Sequence, residues 1–181
     1  MRQLMRLGAL CAAALMLCSC DFLGFDGDIE PDGWECSLKT VTSNNLMQIL
    51  FWETDDYFLP EGCEARQEIR LAGVKELEPP LYPDDSDAWN AKEYVETFKS
   101  QTLYFEPPEN GEGYKDPSGA VYALLYPDYD SYADKVSLNE LILRNGWGEY
   151  EESSLLSWSE NDRFEDAERE AREAGRGIWS R

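Results

Sequence analysis

The chain has 181 residues, with 37 acidic against 16 basic side chains, no histidine and a formal net charge of −21. This charge argues against a general nucleic-acid binder, because binding through counterion release needs cationic side chains. The absence of histidine excludes histidine-based catalysis and histidine metal ligands. The length suits one domain with a hydrophobic core.

The first twenty residues have the pattern of a secretory signal. Arg2 and Arg6 precede an apolar run over residues 7–17. The run is shorter than the roughly 20 apolar residues of a membrane-spanning helix. Its length instead fits the apolar region of a signal peptide, which we expect to cover residues 1–19.

The end of this run resembles the bacterial lipobox, in which a leucine and two small residues precede a lipidated cysteine. The motif is Leu17-Cys18-Ser19-Cys20. It predicts lipidation at Cys20, with a secretory signal without lipidation as the alternative. An acidic tether over residues 20–35 and one domain over 36–181 would follow. We therefore expect a lipid-anchored protein of the bacterial cell envelope, and the choice between inner and outer membrane stays open.

Two cysteines remain in the predicted domain, Cys36 and Cys63. In an oxidising compartment such a pair favours one disulfide. Two buried free thiols are the alternative.

The first half of the predicted domain has the pattern of three strands. These cover residues 46–52, 57–59 and 68–74, with a polar turn at 53–56 and a Pro-Glu-Gly break at 60–62.

The second half mixes helices and strands. Helical spacing covers residues 86–100, 138–145 and 160–174, and short strands cover 102–105 and 121–126. A helix between the third and fourth of five strands is typical of the OB-fold. The sequence therefore predicts an α+β protein with a five-stranded OB-fold barrel and three helices.

Three segments resemble the staphylococcal nuclease (thermonuclease-like) family, in the family's order. They are residues 69–74 (IRLAGV), 137–148 (SLNELILRNGWG) and 164–179 (FEDAEREAREAGRGIW). The resemblance covers about residues 45–179 and is most specific in the last helix and its tryptophan. It implies the family's OB barrel with three helices. It also implies calcium-dependent phosphodiester hydrolysis, in which a cation, a water-activating carboxylate and arginines act on the phosphate.

Three of the family's functional positions are matched. The resemblance implies that Asp55 is the first metal aspartate, in the turn between the first two strands. Arg70 matches the arginine that ends the third strand, and Glu78 matches the water-activating glutamate. Calcium would be the cofactor of an active protein, and otherwise no cofactor is expected.

Two further positions depart from the family. Lys75 stands in place of the second metal aspartate, and Ala120 in place of the second arginine. An ammonium repels a cation, and losing a phosphate-binding arginine typically costs about 10³-fold or more in rate. We hypothesise that Lys75 replaces the metal and pairs with Asp55 and Glu78. The alternative is that these are exposed loop charges.

The sequence thus favours a non-catalytic binding or scaffold module with an envelope protein or glycan as partner. The alternative is a calcium-dependent phosphodiesterase acting on single-stranded nucleic acid or nucleotides. The aromatic residues Trp147, Tyr150 and Trp158 are predicted as core or core-edge residues, with a sugar- or base-stacking platform as the alternative.

Overall fold

A computed structural model of the protein describes residues 33–52, 59–77, 87–111, 113 and 115–180, with the side chain of Tyr129 left aside. These residues lie in one compact unit, Pro31–Arg181. Its strands are β1 Trp34–Val41, β2 Leu46–Phe51, β3 Arg66–Leu71, β4 Val74–Lys75, β5 Leu103–Glu106, β6 Val121–Tyr126 and β7 Glu149–Tyr150.

Five of these strands close into a barrel in the order β1–β2–β3–β6–β5. Neighbouring barrel strands are antiparallel except β3 and β6, which run parallel. Counted along the chain, the barrel order is 1-2-3-5-4, which is the OB-fold arrangement. The predicted α+β fold with a five-stranded OB-fold barrel is confirmed. Strands β4 and β7 form a separate two-stranded sheet.

The first barrel strand is β1, and its first two residues lie in the predicted tether. Residues 46–51 therefore form the second strand, and the turn between the first two strands is residues 42–45. Leu59, from the strand predicted at 57–59, lies outside any strand, and the rest of that segment is outside the described residues.

Burial along β1 explains its path. Cys36 and Leu38 point into the core with a period of two, but the next buried residue is Val41. The register to β2 shifts between Leu38 and Thr40, so an extra residue resets which side chains face inward.

The described α-helices are α1 Asp87–Glu96, α2 Tyr129–Ala133, α3 Leu138–Arg144 and α4 Trp158–Glu173. Short 3₁₀ turns follow at Thr97–Ser100 and Gly177–Trp179. Helix α1 connects the third and fourth barrel strands, as predicted, and α2 is additional to the three predicted helices.

Hydroxyl caps begin the two helices nearest the C-terminus. The Ser137 side chain accepts a hydrogen bond from Glu140 N at the start of α3. Ser157 and Glu160 form a reciprocal capping box at the start of α4, which begins two residues before the predicted start at residue 160. Within the described part of the chain, no helix has the length and hydropathy that crossing a bilayer requires.

Cys36 and Cys63 are free thiols in the structure, so the predicted disulfide is not present in it. Cys36 lies in β1 and is fully buried, whereas Cys63 is half-buried. Burial raises the pKa of the Cys63 thiol to about 11 and also raises the pKa of Cys36. Both thiols are therefore protonated at neutral pH, which makes them poor nucleophiles and poor metal ligands.

Candidate functional site

The turn between β1 and β2 carries two consecutive buried asparagines, Asn44 and Asn45. Asn44 Nδ2 donates to the carbonyl oxygens of Lys75 at 3.1 Å and Trp147 at 3.2 Å. Its Oδ1 accepts from Leu77 N at 3.0 Å. The Asn44 side chain thus joins the turn to the segment after β3 and to the loop that follows α3.

Asn45 makes a parallel set of contacts. Its Nδ2 donates to the Val74 carbonyl oxygen at 2.7 Å, and its Oδ1 accepts from Arg70 Nη1 at 3.0 Å. We call Asn44 and Asn45 the asparagine clamp. Because each amide donates to a backbone carbonyl, a carboxylate in either position would lose these bonds and face carbonyl oxygens.

Arg70 is the penultimate residue of β3, lies beside the clamp and is held by two carboxylates. Its Nε donates to Asp116 Oδ2 at 2.9 Å, and its Nη1 donates to Glu76 Oε2 at 2.8 Å. With the bond to Asn45, three of the five guanidinium N–H donors are directed at described residues. The Arg70 side chain is 19% exposed and that of Asp116 only 6%. The arginine predicted to bind phosphate is therefore part of an internal ion-pair cluster.

Asp116 is fixed from several sides. Its Oδ1 accepts from Ser118 Oγ at 2.6 Å, from Ser118 N at 2.8 Å and from Ala120 N at 3.0 Å. Burial alone would raise the pKa of Asp116, but these hydrogen bonds and the one from Arg70 outweigh it and lower the pKa to about 2. Burial opposes the charge on Arg70 as well, and its two carboxylate partners nevertheless raise its pKa. The pair is ionised at any physiological pH.

Ala120, which the resemblance alone matches to a second arginine, is fully buried. Its contribution to the site is the backbone N–H that it donates to Asp116. A methyl group there supplies neither charge nor a hydrogen-bond donor to a phosphate.

Lys75 lies in β4 and points toward solvent, with 56% of its side chain exposed. Its Nζ forms an ion pair with Glu149 Oε2 of β7 at 2.9 Å. Asp55 and Glu78 lie outside the described residues, so their pairing with Lys75 stays a prediction. The described carboxylate partner of Lys75 is Glu149.

The position of Asp55 in the chain differs from the one that the resemblance implies for the first metal aspartate. The resemblance implies a place in the turn between the first two barrel strands, and the structure has that turn at residues 42–45. Asp55 follows β2 and belongs to the next connection. Asn44 and Asn45 occupy the turn instead, so it carries neutral amides.

The described residues of this site do not fit calcium, which prefers several carboxylate and carbonyl oxygens. Glu76 and Asp116 both face the guanidinium, and the amides of the clamp are used internally. Across the part of the chain that the structure describes, no group of three or more acidic or cysteine side chains is placed to hold a metal ion.

Four members of the cluster were missed from the sequence: Asn44, Asn45, Glu76 and Asp116. The Asp-Pro-Ser-Gly segment at 116–119 is a recognisable turn signal, since an aspartate commonly accepts backbone N–H groups two residues on. The two asparagines come three and four residues after the end of β1. The sequence analysis did not predict that strand, so it did not predict the turn that carries them.

No family model matches the chain, and no curated protein matches it. The resemblance to the thermonuclease-like family therefore remains a prediction from the sequence.

Proposed function

We propose that this protein is a lipid-anchored component of the bacterial cell envelope whose barrel is a degenerate thermonuclease-like domain. It acts as a non-catalytic binding or scaffold module for an envelope protein or glycan. The observation that carries the proposal is the binding of Arg70 between Glu76 and Asp116.

Because three of its five N–H donors are already used, two of them by carboxylates, a phosphodiester would compete with Glu76 and Asp116 for the Arg70 guanidinium. Separating Arg70 from Asp116 leaves a nearly buried charge without its partner, which typically costs about 3–5 kcal/mol. The approaching phosphate would also meet the remaining carboxylates and a chain of net charge −21. With Ala120 in place of a second arginine, no second cation at that position offsets this cost.

The uncharged side chains of Asn44 and Asn45 in the β1–β2 turn also argue against catalysis. A catalytic calcium would need carboxylate ligands at the β1–β2 turn, where the asparagine clamp donates its N–H groups to carbonyl oxygens. The hydrogen bonds of the clamp hold the strands together, and the described residues around Arg70 offer no set of carboxylates free to bind a cation.

Hydrolysis assays test the loss of catalysis. Purified protein is incubated with single-stranded DNA and RNA, with calcium or with chelator, beside the Glu78→Ala and Arg70→Lys variants. We expect no calcium-dependent cleavage from a sample whose circular dichroism shows it to be folded. Calcium-dependent cleavage that both variants abolish would establish the phosphodiesterase instead and overturn the proposal.

Labelling with a radioactive fatty acid tests the anchor. We expect label in the wild-type protein and in Cys18→Ser, and none in Cys20→Ser, because Cys20 occupies the lipidated position of the motif. Equal labelling of the two variants, or no label in the wild type, contradicts lipidation at Cys20.

A further inference from the structure

Trp158 is the first residue of α4 and lies on the solvent-exposed side of that helix. It is 82% exposed, against 53% for Trp52 and 41% for Trp89. Ala167, on the buried face, comes nine residues later, which is half a turn away at 3.6 residues per turn. The indole therefore points away from the hydrophobic core, and the prediction of Trp158 as a core or core-edge residue is wrong.

Two carboxylates follow Trp158 on the same side of α4. Asp162 and Glu165 come four and seven residues after it, so the three side chains share one face of the helix. Both acidic residues are exposed, and neither forms an ion pair within the part of the chain that the structure describes. Three carboxylates further along the helix are instead paired with arginines, namely Asp166, Glu168 and Glu170. The negative charge next to Trp158 therefore lacks the compensation that these later carboxylates have.

The segment after β7 adds negative charge beside this face. Tyr150 lies against the first turn of α4, where its hydroxyl donates to Asn161 Oδ1 at 2.9 Å. Burial raises the pKa of Tyr150, and the nearby charges of Glu152 and Glu165 raise it further. Carboxylates from two different segments thus lie close enough to act on one phenol. We call the following residues the Trp158 surface: Glu152, Trp158, Asp162 and Glu165.

Charge selects among the possible occupants of the Trp158 surface. A second copy of the chain would bring like charges together if the same face met itself. Polyphosphates and anionic lipid headgroups would be repelled as well, by this surface and by the net charge of −21. A cationic partner is favoured on both counts, because the field of the whole protein attracts it and the exposed carboxylates can pair with it.

The indole adds a preference among cations. A guanidinium can stack on the face of an indole ring, and arginine lies over aromatic rings more often than lysine does. Trp89 already has Lys92 Nζ over its ring, 5.8 Å from the ring centre. Among the described residues, no lysine or arginine lies over the Trp158 ring. The exposed indole and the carboxylates beside it therefore fit a segment that contains arginine.

We propose that the Trp158 surface docks an arginine-rich segment of a partner protein. One guanidinium lies over the Trp158 ring, and neighbouring arginines pair with Asp162 and Glu165. The inference rests on the binding role proposed above, and it names the surface used in that role and the chemistry of the partner.

Fluorescence anisotropy of a labelled nona-arginine peptide tests the docking. The purified full chain, in a non-ionic detergent, is titrated into the peptide at about 150 mM salt, which screens charges further apart than about 8 Å. We expect saturable binding that Trp158→Ala weakens about fivefold, because the cation–π contact is lost. The double variant Asp162→Asn, Glu165→Gln should weaken it by about the same factor. A nona-lysine peptide should bind the wild type more weakly, and Trp158→Ala should reduce this difference.

Two matched controls separate this surface from the effect of net charge. The double variant Glu61→Gln, Glu68→Gln removes the same amount of charge from exposed carboxylates before and within β3. Trp89→Ala removes another exposed tryptophan. We expect each control to change the affinity by less than about twofold, with circular dichroism showing that every variant is folded.

Three results would overturn the proposal. The wild type does not bind the arginine peptide, Trp158→Ala binds it as tightly as the wild type, or the control double variant weakens binding as much as the double variant on α4. None of these results bears on the hydrolysis assays, so each would refute this inference alone and leave the non-catalytic role standing.

Discussion

Asn139, in α3, offers the sharpest test of how the barrel is held closed. The side chain is fully buried. Its Nδ2 donates to the carbonyl oxygens of Ala72 at 2.9 Å and Ala123 at 3.0 Å, and its Oδ1 accepts from Leu125 N at 3.2 Å. The amide therefore connects the end of β3 with β6, where the parallel pair of strands separates.

We expect Asn139→Ala to destabilise the fold strongly. The Ala123 carbonyl keeps a hydrogen bond from Ala72 N, but the Leu125 N–H and the Ala72 carbonyl lose the amide as a partner. A buried polar group left unsatisfied costs about 1–3 kcal/mol, so two such groups give about 2–6 kcal/mol. That is a large part of the 5–15 kcal/mol by which a domain is usually stable.

Urea unfolding measures this loss as a shift of the midpoint at constant slope. Asn145→Ala is the control, because it removes a second asparagine side chain of the same helix, at its C-terminal end. Asn145 is only half-buried, and its amide donates to the Leu141 carbonyl oxygen and to the Tyr94 hydroxyl. We expect its loss to be about 1 kcal/mol. A loss below about 1 kcal/mol for Asn139→Ala would show that water or a backbone shift replaces the amide, and would refute the reasoning.

Two further predictions concern a charge and a turn. The pKa of Asp116 is lowered to about 2, so its contribution is fully present above about pH 4 and is lost as the pH falls toward 2. The free energy of unfolding, obtained from urea titrations at each pH, should fall by about 2 kcal/mol over this interval and by less in Asp116→Asn. Equal falls in the two proteins would contradict the role of the Arg70 pair. Gly146→Ala should cost more than Gly119→Ala in thermal unfolding. Both glycines have positive φ, but a Cβ at Gly146 would lie 2.2 Å from the Arg176 carbonyl oxygen, whereas none of the described atoms lies within 4 Å at Gly119. Equal losses of thermal stability in the two variants would show that the backbone around Gly146 moves to relieve the contact with the Arg176 carbonyl oxygen.

The elements with strong local signals were predicted well from the sequence. Strand β6 has the predicted bounds, 121–126, because six apolar or aromatic residues lie between turn signals. Helix α4 has Phe164, Ala167 and Ala171 on its buried face, and this helical spacing is visible in the sequence.

The miss at β1 has a physical cause. Its sequence, WECSLKTV, mixes polar and apolar residues and contains a register shift, so its alternation is interrupted. Which strand counts as the first in a closed barrel depends on pairing with distant residues, here β5, and no local pattern reports that pairing. Because β1 was not predicted, β2 was counted as the first strand. The predicted metal turn was therefore placed at Asp55 rather than at Asn44 and Asn45.

The candidate site was predicted only in part for the same reason. Arg70 was found because the resemblance to the thermonuclease-like family matched it to that family's first arginine. Its partners Glu76 and Asp116 are 6 and 46 residues away in the chain, and only the fold brings them together. The sequence predicted an arginine at the site, and the carboxylates that hold it became visible only in three dimensions.

The asparagine clamp also constrains how this turn can evolve. An aspartate at position 44 would place a carboxylate against the carbonyl oxygens of Lys75 and Trp147, which now accept N–H groups. An intermediate with that one change would be less stable and would still lack the other ligands that a cation needs. A carboxylate in this turn would therefore require accompanying changes in residues 74–77, whose backbone groups the asparagines now hold. The hydrogen bonds that stabilise the fold thus also oppose a change of this turn toward metal binding.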